Sequence, residues 1–215
     1  MNTRKTILSN ILQTFSGQSI ASLLGFVTHA YLARALGAED YGVLGFAITV
    51  VSYFGILGTL GTDVWGARSI ARRETDPSVL TGQIVSLRFA LGFVAFCAVT
   101  VLVYFWDQPT LVNRIVLIQA STLFIGAITL DFAFQGMEQL GISARRQVIT
   151  AVLALAGILS FVPYFGLVTT AAIVFQIATL FAVLYMVIVF RRTVGSFPIR
   201  VELRRWKSIS TAAAP

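Results

Sequence analysis

Six runs of apolar residues, divided by short stretches that carry the charges, make up the hydropathy pattern of this chain. A helix needs about 20 predominantly apolar residues to cross the ~30 Å hydrocarbon core of a bilayer, where every backbone N–H and C=O has to be satisfied within the segment. The runs near residues 10–32, 41–61, 84–105, 112–132, 148–165 and 170–190 come close to that length. They predict an all-α membrane protein of about six transmembrane helices. Pro163 near the end of the fifth run and the brevity of 164–169 predict a very short turn before the sixth.

Polar positions inside the runs carry a second pattern. At 100° per residue, Asn10, Thr14, Gln18, Ser22, Gly25 and His29 fall within roughly 120° of arc, a polar stripe along one face of the first span. Lipid cannot face such a stripe. It lines either a water-filled cavity or a helix interface with interhelical hydrogen bonds. In the second span Gly55, Gly58 and Gly61 recur every third residue, the spacing of close helix packing or of a hinge.

Two segments outside the spans are also patterned. Within 62–81, Arg68 and Arg72 stand four apart, so a short helix would present both to anionic headgroups. Within 197–209, Ile199, Leu203 and Trp206 share one helical face, and Arg200, Arg204 and Lys207 share another. That is the pattern of an interfacial amphipathic helix. Both segments act either as topology anchors or in recruiting an anionic lipid. The expected organisation is a transmembrane lobe over 1–192 and a cytoplasmic basic tail over 193–215.

Composition agrees with a membrane class: 57% of residues are hydrophobic, 12% are charged, and the mean hydropathy is +0.84. The net charge of +7 argues neither for nor against nucleic acid until the charges are placed. They lie between the apolar runs while the aromatic residues lie within them, which excludes a nucleic-acid surface. Counted in alternate connections, fourteen of the sixteen Lys and Arg fall on one side and only Arg34 and Arg114 on the other. The positive-inside rule then puts both termini in the cytoplasm; the plasma (inner) membrane is the location expected from the family resemblance described below. The stretch after Arg4 and Lys5 is too long and too polar for the core of a signal peptide, so it reads as a retained first helix. Cys97 is the lone cysteine, which rules out disulfides and cysteine-based metal sites and reads as packing filler.

Four ionisable groups near or inside the spans are candidates for chemistry. Arg34 and Arg88 are the cations nearest the membrane interior, and guanidinium matches phosphate oxygens in a bidentate fork. With Thr14, Gln18 and Ser22 they form the candidate substrate-binding set. His29 is the lone histidine, the residue type that suits proton exchange near physiological pH, and is the candidate for proton coupling, or else it is hydrogen-bonded near the interface. Asp131 is expected to pair with Arg88 or Arg145, or to cap a helix. An enzyme acting on polyprenyl phosphates would need carboxylates or histidines clustered at the cytoplasmic interface. The adjacent pair Glu39 and Asp40 lies on the outer side, so no enzyme, metal or cofactor is expected.

Three runs carry a family resemblance: YLARALGAEDYG over 31–42, GTDVWGARSIAR over 61–72 and DFAFQGME over 131–138. In this order and at these helix ends they resemble the polysaccharide transporters of the multidrug/oligosaccharidyl-lipid/polysaccharide flippase superfamily, which includes the O-antigen flippases. The resemblance implies one six-helix lobe of a MATE-like fold around a cationic cavity. It also implies export of polyprenyl-pyrophosphate-linked oligosaccharide for lipopolysaccharide or other surface polysaccharide, with Arg34 and Arg88 as candidates for the pyrophosphate contact. Such transporters have roughly twice as many helices, so a second lobe, a homodimer, or a truncated, inactive fragment are open expectations. Export of small amphipathic solutes, as in the multidrug branch, is the alternative.

Overall fold

A computed structural model describes residues 3–59, 61–165 and 167–198, with side chains from residue 14 onward. The described residues form eight helices and no strand: α1 (Thr3–Thr59), α2 (Thr62–Ala71), α3 (Pro77–Phe105), α4 (Thr110–Ala120), α5 (Thr122–Ala127), α6 (Asp131–Gly136), α7 (Leu140–Phe165) and α8 (Val168–Thr193). Five segments are long and apolar enough to cross a bilayer. The first of them, Thr14–Thr59, has 46 residues. Run straight, it would reach about 69 Å, twice what a bilayer can hold. It does not run straight. Gly37 breaks it at φ 80°, ψ 173°, a conformation open to glycine and costly for any side chain. α1 is therefore two arms, 3–36 and 38–59, the first crossing over 14–36, and the chain makes six crossings.

The connection expected over 31–42 thus shrinks to one residue, and Arg34 sits in a helix instead of a loop. The third span begins earlier than its apolar run. Asp76 accepts hydrogen bonds from the amides of Ser78 (2.8 Å) and Val79 (3.4 Å), and Pro77 holds the first helical position. The Ser78 side-chain hydroxyl foremost, and then these amides, hold the Asp76 carboxyl below its usual range. The fourth span is not one helix but three. Its ladder tightens at Ser121 and at Ile128, and Leu130 leaves helical geometry at φ −105°, ψ 22°. The α6 segment then packs on α2, where a Cβ on Gly136 would stand 2.7 Å from the Ala67 carbonyl oxygen. The turn between α7 and α8 is as short as expected, and of the amphipathic segment expected over 197–209 the residues from 199 onward lie outside the described residues.

Two buried clusters hold the bundle. One, including Leu32, Leu44, Val99, Ile115, Ile158 and Ala172, joins both arms of α1 to α3, α4, α7 and α8 at the end where α1 turns back. The other, including Ile70, Ile84, Phe132, Phe134, Met186 and Phe190, joins α2, α3, α6 and α8 at the opposite, basic end. Outside them, large apolar side chains such as Phe15, Leu23, Tyr104 and Tyr164 are exposed, as a lipid-facing surface requires. Cys97 is on that exposed surface of α3, so it does not fill the core as its apolar setting suggested.

Candidate functional site

Arg88 extends from α3 toward the first turn of α2, and only 2% of it is exposed. Its Nε donates to Thr62 Oγ1 at 2.8 Å, its Nη2 stands 2.8 Å from Asp63 Oδ1, and its guanidinium lies 4.9 Å over the Phe132 ring. A guanidinium is always charged, so at this burial it needs each of these partners. The arrangement fastens α2 to α3. Asp131 pairs with neither of the arginines expected for it. It meets Arg146 instead, Oδ2 to Nη2 at 2.9 Å with Nε at 3.4 Å from Oδ1. Arg145 and Arg146 are adjacent, so about 100° of helix rotation separates them, and the facing of α7 decides between the two.

Arg88 also reaches the wall of a cleft of about 300 Å³ between the second arm of α1, α3, α4 and α5. Gly55 and Gly58 border this cleft, and nothing lies within 4 Å of a Cβ placed on Gly58. These glycines make room; they do not form the close helix contact that their spacing suggested. Gly61, at φ 71°, caps α2 and ends their series. On the same wall stands a polar relay across three helices. Thr122 Oγ1 donates to Gln176 Oε1 at 2.9 Å, and Gln176 Nε2 donates to Gln119 Oε1. Gln119 is 4% exposed and lines the cleft. The sequence reading missed this relay, although Gln119 and Thr122 at i, i+3 and Gln176 as the sole amide side chain of α8 were its signal.

The remaining predicted residues lie elsewhere. Gln18, Ser22 and His29 on the first arm are exposed and Thr14 is partly so, so Gln18 and Ser22 in the middle of the stripe are not buried against another helix of this bundle. The packing face of that arm, marked by buried Thr28 and Leu32, overlaps the Thr14 edge of the stripe. His29 stacks on Phe175 of α8 at 5.7 Å and shares a 3.3 Å hydrogen bond with the Tyr41 hydroxyl of the second arm. Arg34 is exposed near the break at Gly37. The structure therefore brings Arg88 together with Gln119 and Thr122, and leaves Thr14, Gln18, Ser22 and Arg34 outside that cleft. Among the described residues no three His, Cys, Asp or Glu side chains gather where they could hold a metal ion.

Comparison with known proteins adds to this geometry. None of the curated proteins matches the chain. Among solved structures, a MOP superfamily transporter from Pyrococcus furiosus, reported to have a binding pocket of reversed polarity, is similar at 13% identity with a TM-score of 0.62. The match covers 97% of this chain and 50% of the transporter, so the chain spans about half its length. A family model described as polysaccharide biosynthesis protein matches residues 7–215. A six-crossing bundle with the fold of half a MOP transporter, matched over nearly its whole length by that model, belongs to the polysaccharide biosynthesis protein family.

Proposed function

We propose that this chain is one lobe of a flippase that exports polyprenyl-pyrophosphate-linked oligosaccharide units for cell-surface polysaccharide such as O-antigen. The observation that carries the reading is the polar stripe of the first arm, with Gln18 and Ser22 exposed between the partly exposed Thr14 and the exposed His29, on a helix otherwise suited to lipid. Hydrocarbon does not solvate amides and hydroxyls, so this face belongs against water, a polar substrate or a second polar face. In this reading the stripe lines the path of the sugars while the polyprenyl tail stays in lipid. Arg34 meets the pyrophosphate, and Arg88 acts from within the lobe. His29 couples protons to the cycle. The lobe comprises 1–192, the basic tail 193–215 lies with both termini in the cytoplasm, and a second six-helix unit, another copy or a separate lobe, faces the stripe. The chain is a transporter and no enzyme.

The test is translocation of a fluorescent lipid-linked oligosaccharide in proteoliposomes holding the full chain, with surface polysaccharide restored in a flippase-deficient strain as the cellular readout. Gln18→Leu with Ser22→Leu should lower translocation about tenfold, the loss of one to two polar contacts, with the protein still inserted. Equal translocation by that double variant overturns the stripe as the path. A second reading, export of small amphipathic solutes, draws on the largely apolar cleft beside Gly55 and Gly58. It predicts efflux of amphipathic dyes that Gly58→Leu blocks.

A further inference from the structure

A second groove lies between the first arm of α1, the start of α7 and α8, with a volume of about 470 Å³. Its floor is a close helix approach: a Cβ on Gly17 would stand 2.8 Å from the Cβ of Ala144. Its rim is polar, with Ser16, Arg145 and Tyr185 from three different helices. Among the described residues none of the three side chains has an ion-pair or hydrogen-bond partner, whereas Arg146 next door is occupied by Asp131. A cation and two hydroxyls converge on this groove with their hydrogen-bonding capacity unused.

Depth and direction define what can fill it. Tyr185 precedes Arg191 by six residues, about 9 Å along the helix, so the rim lies near headgroup level at the basic end of the bundle. On the first arm, Ser16 stands roughly 160° around the helix from the middle of the polar stripe. It shares that flank with Leu23 and Val27, which are 67% and 50% exposed. The groove therefore opens toward hydrocarbon, away from the face assigned above to the sugars. Its occupant enters sideways from the bilayer and brings an anion with it.

We infer that this groove binds an anionic phospholipid. Arg145 holds the phosphate, Ser16 and Tyr185 donate to its oxygens, and one acyl chain lies along Gly17, Ala144 and Val148. The geometry suits it: guanidinium and phosphate match in charge and shape, and the floor beneath them is apolar. A lipid seated there touches the first arm, α7 and α8 at once and ties them together.

The experiment uses the full chain purified in neutral detergent and a phosphatidylglycerol with a photoreactive group in its acyl chain. Crosslinks are expected on 144–149 and 14–20. Arg145→Gln should lower retained phosphatidylglycerol about tenfold, Val148→Trp should displace the crosslink with the charge intact, and Arg114→Gln should change nothing. Should Arg145→Gln aggregate, Arg145→Lys replaces it, with an intermediate loss expected. Undiminished retention in the Arg145 variant overturns the site. So does equal retention of phosphatidylcholine, or full competition by inorganic phosphate. Displacement by a polyprenyl phosphate in preference to phosphatidylglycerol also overturns it, and makes the groove a carrier-lipid site.

Discussion

Arg88 and Arg145 carry the same guanidinium in the same basic half of the bundle, yet their surroundings are opposite. Arg88 is 2% exposed and held by Asp63, Thr62 and Phe132. Arg145 is exposed at the rim of a groove, with no ion pair among the described residues. Removing a charge from water costs several kcal/mol, so a buried arginine has its binding capacity claimed by the fold before any ligand arrives. An open arginine keeps that capacity. The contrast separates a clamp from a receptor, a distinction that residue type alone does not make.

The strongest way to break this comparison is Arg88→Ala. It strips the partners from Thr62 and Asp63 and leaves a void against Phe132, and should destabilise the protein by about 3 kcal/mol. Thermal unfolding in detergent reads this, and an unchanged melting temperature would refute the clamp. The half-exposed Asp63 makes Asp63→Asn milder, because water replaces part of what the arginine loses. Next comes Arg146→Ala, which opens a partly buried bidentate pair with Asp131; about 1 kcal/mol is expected from the same unfolding curves. Smallest are Arg34→Gln and Arg145→Gln, each within about 0.5 kcal/mol of the parent. Their effect should be on ligand: oligosaccharide translocation for Arg34 and phospholipid retention for Arg145. A large loss of stability in either would move it to the clamp class and sharpen the comparison the other way.

The same division governs what could be read in advance. The six crossings were legible because hydrocarbon imposes a length and polarity rule that acts along the chain, one residue after another. The polar stripe was legible for the same reason, since helical spacing places its members on one face without any partner being known. Residues whose role depends on a neighbour in another helix were not legible. Asp131 chose Arg146 over Arg145 and Arg88, and the Gln119, Gln176 and Thr122 relay needed α4, α5 and α8 to meet. Gly55 and Gly58 looked like contact residues because spacing shows that a face is small, not whether a helix lies against it.

By itself, then, the sequence determined that the chain crosses a membrane six times, that its charges gather at one end, and that one helix carries a polar face. Each follows from desolvation of single residues or single helices, which needs no knowledge of the third dimension. Tertiary structure alone decided that Gly37 is the whole connection between the first two crossings. It also decided that Arg88 is spent on α2 and that Arg145, beside a groove, has no ion pair among the described residues. Those outcomes depend on which helix faces land together, and a pairwise distance between remote residues is set by the packing of the entire bundle.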